Sequence, residues 1–258
     1  KWAIPTFGDV RILLKGGLKM KFKYISMSIA LSMLLAACGD SETTISSTDS
    51  AKTDGEKVEQ KQEKEESKAR LEIVDSTGAA WVNSIGTVWV HSAAIFENTG
   101  EKPVDIGETQ MTYKSTDGSI LGTSTMNYAV PRIVKPGETA VIVESDILDG
   151  VTNKDLYAET SYNFSYEATD EDPNLMEISS VKGINGEYGY KVTGIVKNPT
   201  DVQQEDVRIA AILYDAEGNL LGALSGSMDV GLAPQGEAGF ELGYPELPEG
   251  VGAKVATI

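Results

Sequence analysis

The chain has 258 residues, 41% of them hydrophobic, with 22 Lys and Arg against 39 Asp and Glu, a formal charge of −17. That balance excludes nucleic acid as a partner, because phosphate binding needs clustered Lys and Arg, and it opposes lying flat on an anionic membrane. A single cysteine, Cys38, and a single histidine, His91, leave no disulfide and remove the usual zinc constellations and Ser-His-acid triads.

Residues 1–19 include Trp2, Pro5 and Asp9 and show no pattern leading into the apolar run beyond Met20. Lys15-Gly16-Gly17 can be encoded by a ribosome-binding sequence, and Leu18 and Lys19 set a spacing suited to initiation at Met20. Residues 1–19 therefore read as an upstream extension, included by a start called too early, with a genuine N-terminal tail as the alternative. Met20 opens a basic segment with Lys21 and Lys23, followed by an apolar run from Ile25 to Leu35 and then small residues. The run is well short of the ~20 residues that cross a bilayer. Basic, then apolar, then small is the order of a secretory signal peptide, here residues 20–37.

Leu35-Ala36-Ala37-Cys38 resembles the lipobox of bacterial lipoproteins. The resemblance implies cleavage before Cys38, a diacylglycerol on its sulfur, and a protein held to the cell membrane on the extracellular side. The competing reading of Cys38 is an ordinary buried cysteine, a small hydrophobe. Two acyl chains matter, since one alone gives only marginal membrane binding. Removing residues 1–37 takes away six of the 22 basic residues and one of the 39 acidic ones, leaving a formal charge of −22.

Residues 38–69 are polar, first rich in Ser, Thr and Asp, then in Lys, Glu and Gln, with no aromatic residue and no face to bury. They read as a disordered stalk. As a flexible coil, ~30 residues give a reach of ~30 Å, enough to lift a folded part clear of the headgroups.

Beyond Arg70 the pattern becomes short alternating apolar runs broken by Gly, Pro, Asn and Asp, the signature of antiparallel strands. An internal repeat runs through them. Ile95-Phe96-Glu97-Asn98 matches Ile195-Val196-Lys197-Asn198, and Asp117-Gly118 to Gly122 matches Glu217-Gly218 to Gly222, at an offset of 100. Pro136-Gly137-Glu138 aligns with Gln235-Gly236-Glu237 after a one-residue gap, and Asp149-Gly150-Val151 with Glu249-Gly250-Val251 restores the offset. Two copies of one unit are expected, over 70–168 and 175–258.

In the second copy Val207, Ile209, Ala211 and Leu213 share one strand face, with Arg208, Ala210, Ile212 and Tyr214 on the other. Asp215 to Gly218 is a turn. In the first copy Thr109, Met111 and Tyr113 oppose Gln110, Thr112 and Lys114, a more polar strand expected at a sheet edge. With about seven strands per copy and no helical period, the expected fold is all-β, two tandem immunoglobulin-like β-sandwiches. Asn198, Ala211-Ile212-Leu213-Tyr214-Asp215, Gly218, Gly236 and Phe240 resemble the FxLYD module of lipoproteins from Gram-positive bacteria. Ala211 stands where that module carries phenylalanine, and Met111, Tyr113, Lys114 and Ser115 depart further in the first copy. The resemblance implies no catalytic residue and no cofactor.

Candidate chemistry is sparse. His91, on the expected strand Thr87–Phe96, reads as structural. Glu144 with Asp146, and Glu177 with Glu187, have the residue types of a glycosidase couple, but with so many acids such pairs arise as solvated surface charge. Asp170, Glu171 and Asp172 lie between the copies, where oxygen-rich junctions can hold Ca²⁺; without an Asp-x-Asp-x-Asp-Gly loop, a soluble linker is the competing reading. Tyr162, Phe164 and Tyr166 share one strand face, expected in the core; exposed, they would be a binding patch. The expected function is a lipid-anchored, non-enzymatic binding or spacer module whose partner is an envelope protein or glycan. A secreted substrate-binding or calcium-dependent adhesion module, and a cell-envelope hydrolase, are the alternatives.

Overall fold

The computed structural model describes residues 7–10, 68–126, 128–186, 189–228 and 230–258. The signal segment 20–37, Cys38, nearly all of the polar stretch 38–69 and Glu187 lie outside the described residues. Among the described residues the regular structure is β, apart from two three-residue 3-10 helices, Lys154–Leu156 and Gly252–Lys254. The first strand, β1 (Phe7–Val10), falls within residues 1–19, the stretch that reads as an upstream extension.

In the N-terminal half, β2 (Leu71–Val82), β3 (Val88–Asn98) and β7 (Thr139–Ile147) form one antiparallel sheet with β3 in the middle. The second sheet is built on β4 (Val104–Ser115), which pairs with β5 (Ile120–Met126), β6 (Ile133–Val134) and β8 (Tyr157–Ala168). Alternation packs the inward residues between the sheets. Val90, Ala94 and Phe96 of β3 and Ile142 of β7 meet Met111 and Tyr113 of β4, all buried.

The C-terminal half repeats part of the plan, with isolated bridges where the N-terminal half has β6 and β8. β9 (Leu175–Gly186), β10 (Gly189–Lys197) and β13 (Glu237–Leu242) correspond to β2, β3 and β7, and β11 (Glu205–Tyr214) and β12 (Leu220–Met228) to β4 and β5. β1 lies parallel between β11 and β9 and joins these strands into one six-stranded sheet. Val192, Val196, Val207, Ile209, Ala211, Leu213 and Leu224 form the apolar cluster of this half.

The repeat is visible in hydrogen bonds. Asn98 is fully buried; its amide donates to Lys102 O and Val134 O, both at 2.7 Å, and its carbonyl oxygen accepts from Gly100 N. Asn198 donates to Val202 O at 2.8 Å and to Leu232 O and Ala233 O, and accepts from Thr200 N. Gly118 and Gly218 sit at φ 84° and 85° in turns closed by bonds to Ser115 O and Asp215 O. The left-handed backbone explains the glycine at both.

Two expectations are corrected. Glu138 N bonds Lys135 O as Gly236 N bonds Ala233 O, so Pro136 corresponds to Pro234 and Gly137 to Gln235, both of the latter pair at positive φ. The offset there is 98, not 99. The strand expected at an edge, β4, is central, flanked by β5 and β8. Its inner residues Thr109, Met111 and Tyr113 are fully buried. Its polarity belongs to its outer face, where Gln110 is exposed and Thr112 and Lys114 are half-buried.

Candidate functional site

β3 reads Val-Trp-Val-His-Ser-Ala-Ala-Ile-Phe and is buried along nearly its whole length, on both faces. A strand with one wet face alternates; a near-continuous apolar run signals cover on both sides. The even-numbered residues face the N-terminal core. The odd face carries Ala93, which packs with Val130, Val141 and Val143 against Ala210 and Ala223 of the other half, with Ile212 beside them. The halves thus share a third apolar cluster, a seam between β3 and β7 on one side and β11 and β12 on the other.

His91 stands in that seam, 1% exposed. Its Nδ1 is 2.8 Å from Ser145 Oγ, which itself donates to Glu246 O at 2.8 Å. With that hydroxyl hydrogen committed, Nδ1 carries the imidazole proton, and Nε2 accepts from Ala223 N at 3.4 Å. Both partners beyond β7, Glu246 O and Ala223 N, belong to the C-terminal half. Gly222 makes the approach possible, since a Cβ there would come within 2.7 Å of Nε2. Burial lowers the His91 pKa to about 4, against a smaller opposing effect of the Glu246 backbone. At the rim, Tyr244 Oη donates to Glu144 Oε1 at 2.8 Å, and the Arg208 guanidinium lies 3.6 Å from the centre of the Tyr128 ring.

A second place of interest is a groove of about 400 Å³ where β4 and β8 lose register between Ile106 and Thr109. β-Bulges of this kind re-aim side chains. Asp105, Glu108, Glu167 and Arg132 line the groove with Ser165 and Tyr166. Arg132 Nη2 is 3.2 Å from Asp105 Oδ2. Burial raises the Asp105 pKa and Arg132 opposes it. Glu108, Gln110, Asn163, Phe164 and Ser165 carry the groove on. Its chemistry is that of hydrogen bonding and charge pairing, through three carboxylates, one guanidinium and amide groups.

The aromatic row divides here. Tyr162 and Phe164 pack on the N-terminal core, as expected, with Phe164 edge-on to Phe96 at 4.8 Å. Tyr166, expected beside them, is 37% exposed and lines the groove, paired with Ile106 at the end of the register break. Trp81 and Trp89 lie 6.1 Å apart.

The junction residues are brought to lysines rather than to one another. Lys135 Nζ is 2.6 Å from Asp172 and Lys102 Nζ 3.5 Å from Asp170, both carboxylates open to water. Glu171 N bonds Thr169 Oγ1. Among the described residues no three His, Cys, Asp or Glu side chains are placed to hold a metal ion. Glu144 and Asp146 flank Ser145 on β7, where Glu144 is held by Tyr244. Sequence reasoning places His91 on its strand and misses its partners; the near-continuous apolar run of β3 is the available signal. The Gly107 bulge leaves no comparable mark.

Among the described residues no helix is long and apolar enough to cross a membrane. A scan against protein-family models finds no match to this chain, and a search of curated proteins finds none either.

Proposed function

We propose that the chain is a lipid-anchored binding or spacer module of the bacterial cell envelope, held on the extracellular side of the membrane through Cys38. The observation that carries this reading is the order Lys21-Lys23, Ile25–Leu35, Leu35-Ala36-Ala37-Cys38. The polar stretch 38–69 then acts as a stalk, and the β-sandwich halves are what it presents. The FxLYD resemblance around Leu213-Tyr214-Asp215 supports the same class, and no catalysis is assigned. The groove at the β4–β8 bulge favours binding over spacing, since its carboxylates, guanidinium and half-exposed Tyr166 suit a polar envelope protein or glycan.

The test is expression in a Gram-positive host with a labelled fatty acid. The native chain is expected in the membrane fraction with label, and Cys38→Ser is expected unlabelled, released or uncleaved. Equal labelling of both would overturn the lipid anchor.

A further inference from the structure

We propose that the seam between the halves is an acid-operated clasp, closed while the His91 imidazole is neutral and opened when it takes a second proton. The geometry fits the neutral ring alone. Nδ1–H donates to Ser145 Oγ, whose own hydrogen goes to Glu246 O, and Nε2 accepts from the Ala223 N–H. A proton arriving on Nε2 turns that acceptor into a donor facing a donor. At 1% exposure no bulk water takes over the lost role.

Among the described residues no carboxylate compensates for the new charge. The register neighbours of His91 are Ala79 on β2 and Ser145 on β7. Glu144 and Asp146 flank Ser145 and so leave β7 on its opposite face. Glu144 is bound by Tyr244 Oη and Ser145 N, and Asp146 accepts from Ile147 N. The segment from the C-terminal half brings Tyr244 and Glu246, and Glu246 reaches the cluster through its backbone oxygen while its residue is exposed. β12 contributes Gly222 and Ala223, neither titratable. Burial of the ring disfavours the charged form in the same sense.

Opening here leaves the rest intact, because each half keeps an apolar cluster of its own. What separates is Ala93, Val141 and Val143 from Ala210 and Ala223. Acid would thus convert a braced pair of halves into two units joined by the 169–174 junction, uncovering a small apolar face on each.

His91 is the only histidine, so an untagged full chain in detergent gives one imidazole signal by NMR. The ring is expected to titrate near pH 4, and methyl contacts across Ala93, Val143 and Ala223 are expected to vanish over the same range while the signals of both cores stay dispersed. In His91→Asn the same contacts should persist to a pH lower by about one unit or more. Loss of the contacts at one pH in both proteins would overturn the clasp, as would a ring that titrates near pH 6.5 with the contacts intact. If His91→Asn does not fold, ring protonation and contact loss at separate pH values in the native chain overturn it equally.

Discussion

β4 and β11 hold the same place in the two halves, yet their outer faces are opposites. β4 turns Gln110, Thr112 and Lys114 outward, toward water; at the matching positions β11 turns Ala210, Ile212 and Tyr214, and Ala210 is buried against the N-terminal half. The neighbouring strands differ in the same way, with exposed Thr123 on β5 and fully buried Ala223 on β12. The inner faces, by contrast, do the same job in both. A sandwich-type sheet needs only small apolar residues on one outer face to turn a solvated surface into an interface; small side chains let the sheets approach closely and leave few polar groups to satisfy.

The sharpest way to break this comparison is a matched pair of charges. Ala223→Glu buries a carboxylate in the seam and is expected to cost ~3–5 kcal/mol or to part the halves. Thr123→Glu, at the corresponding exposed site, should stay within ~0.5 kcal/mol. Urea midpoints measured on both decide it, and equal losses would mean that the two faces are not different in kind.

Acid is the next largest lever. The folded pKa of His91 is lowered from 6.5 to about 4, so the unfolded chain binds the proton first as pH falls. Its contribution is complete above pH 6.5 and drains away as pH drops toward 4, on the order of 3 kcal/mol in all. Denaturant melts of native chain and His91→Asn across this window should diverge with that sign. A native chain that gains stability between pH 6.5 and 4 relative to the variant would contradict it.

A smaller effect tests the sameness rather than the difference. Asn98→Ala and Asn198→Ala each remove a buried amide and strip one buried carbonyl, Val134 O or Leu232 O, of a donor, and should each cost ~2–3 kcal/mol. Losses that differ by more than ~1 kcal/mol would show that the two loops are not equivalent in energy.

The sequence makes some of this plain and hides the rest for physical reasons. Alternation in Val207 to Leu213 places the second core correctly, because inward residues must be apolar whatever lies outside. The polarity of Gln110, Thr112 and Lys114 suggests an edge, yet strand polarity reports solvent on a face, not the number of hydrogen-bonded neighbours. The turn at Gly137 slips by one residue when a glycine is matched to a glycine, because Gln235 takes the positive φ in the second copy. The seam is written in β3, in a run with two buried faces. The groove is not, since a bulge at Gly107 depends on how β8 meets β4.

The most direct test of the shared seam uses the reactivity of the single histidine toward diethyl pyrocarbonate at neutral pH, read by mass. β3 exposes its His91 face unless the C-terminal half covers it. The native chain should leave His91 unmodified and react there only after unfolding; rapid modification of His91 in the folded chain would show that the halves do not share a buried seam.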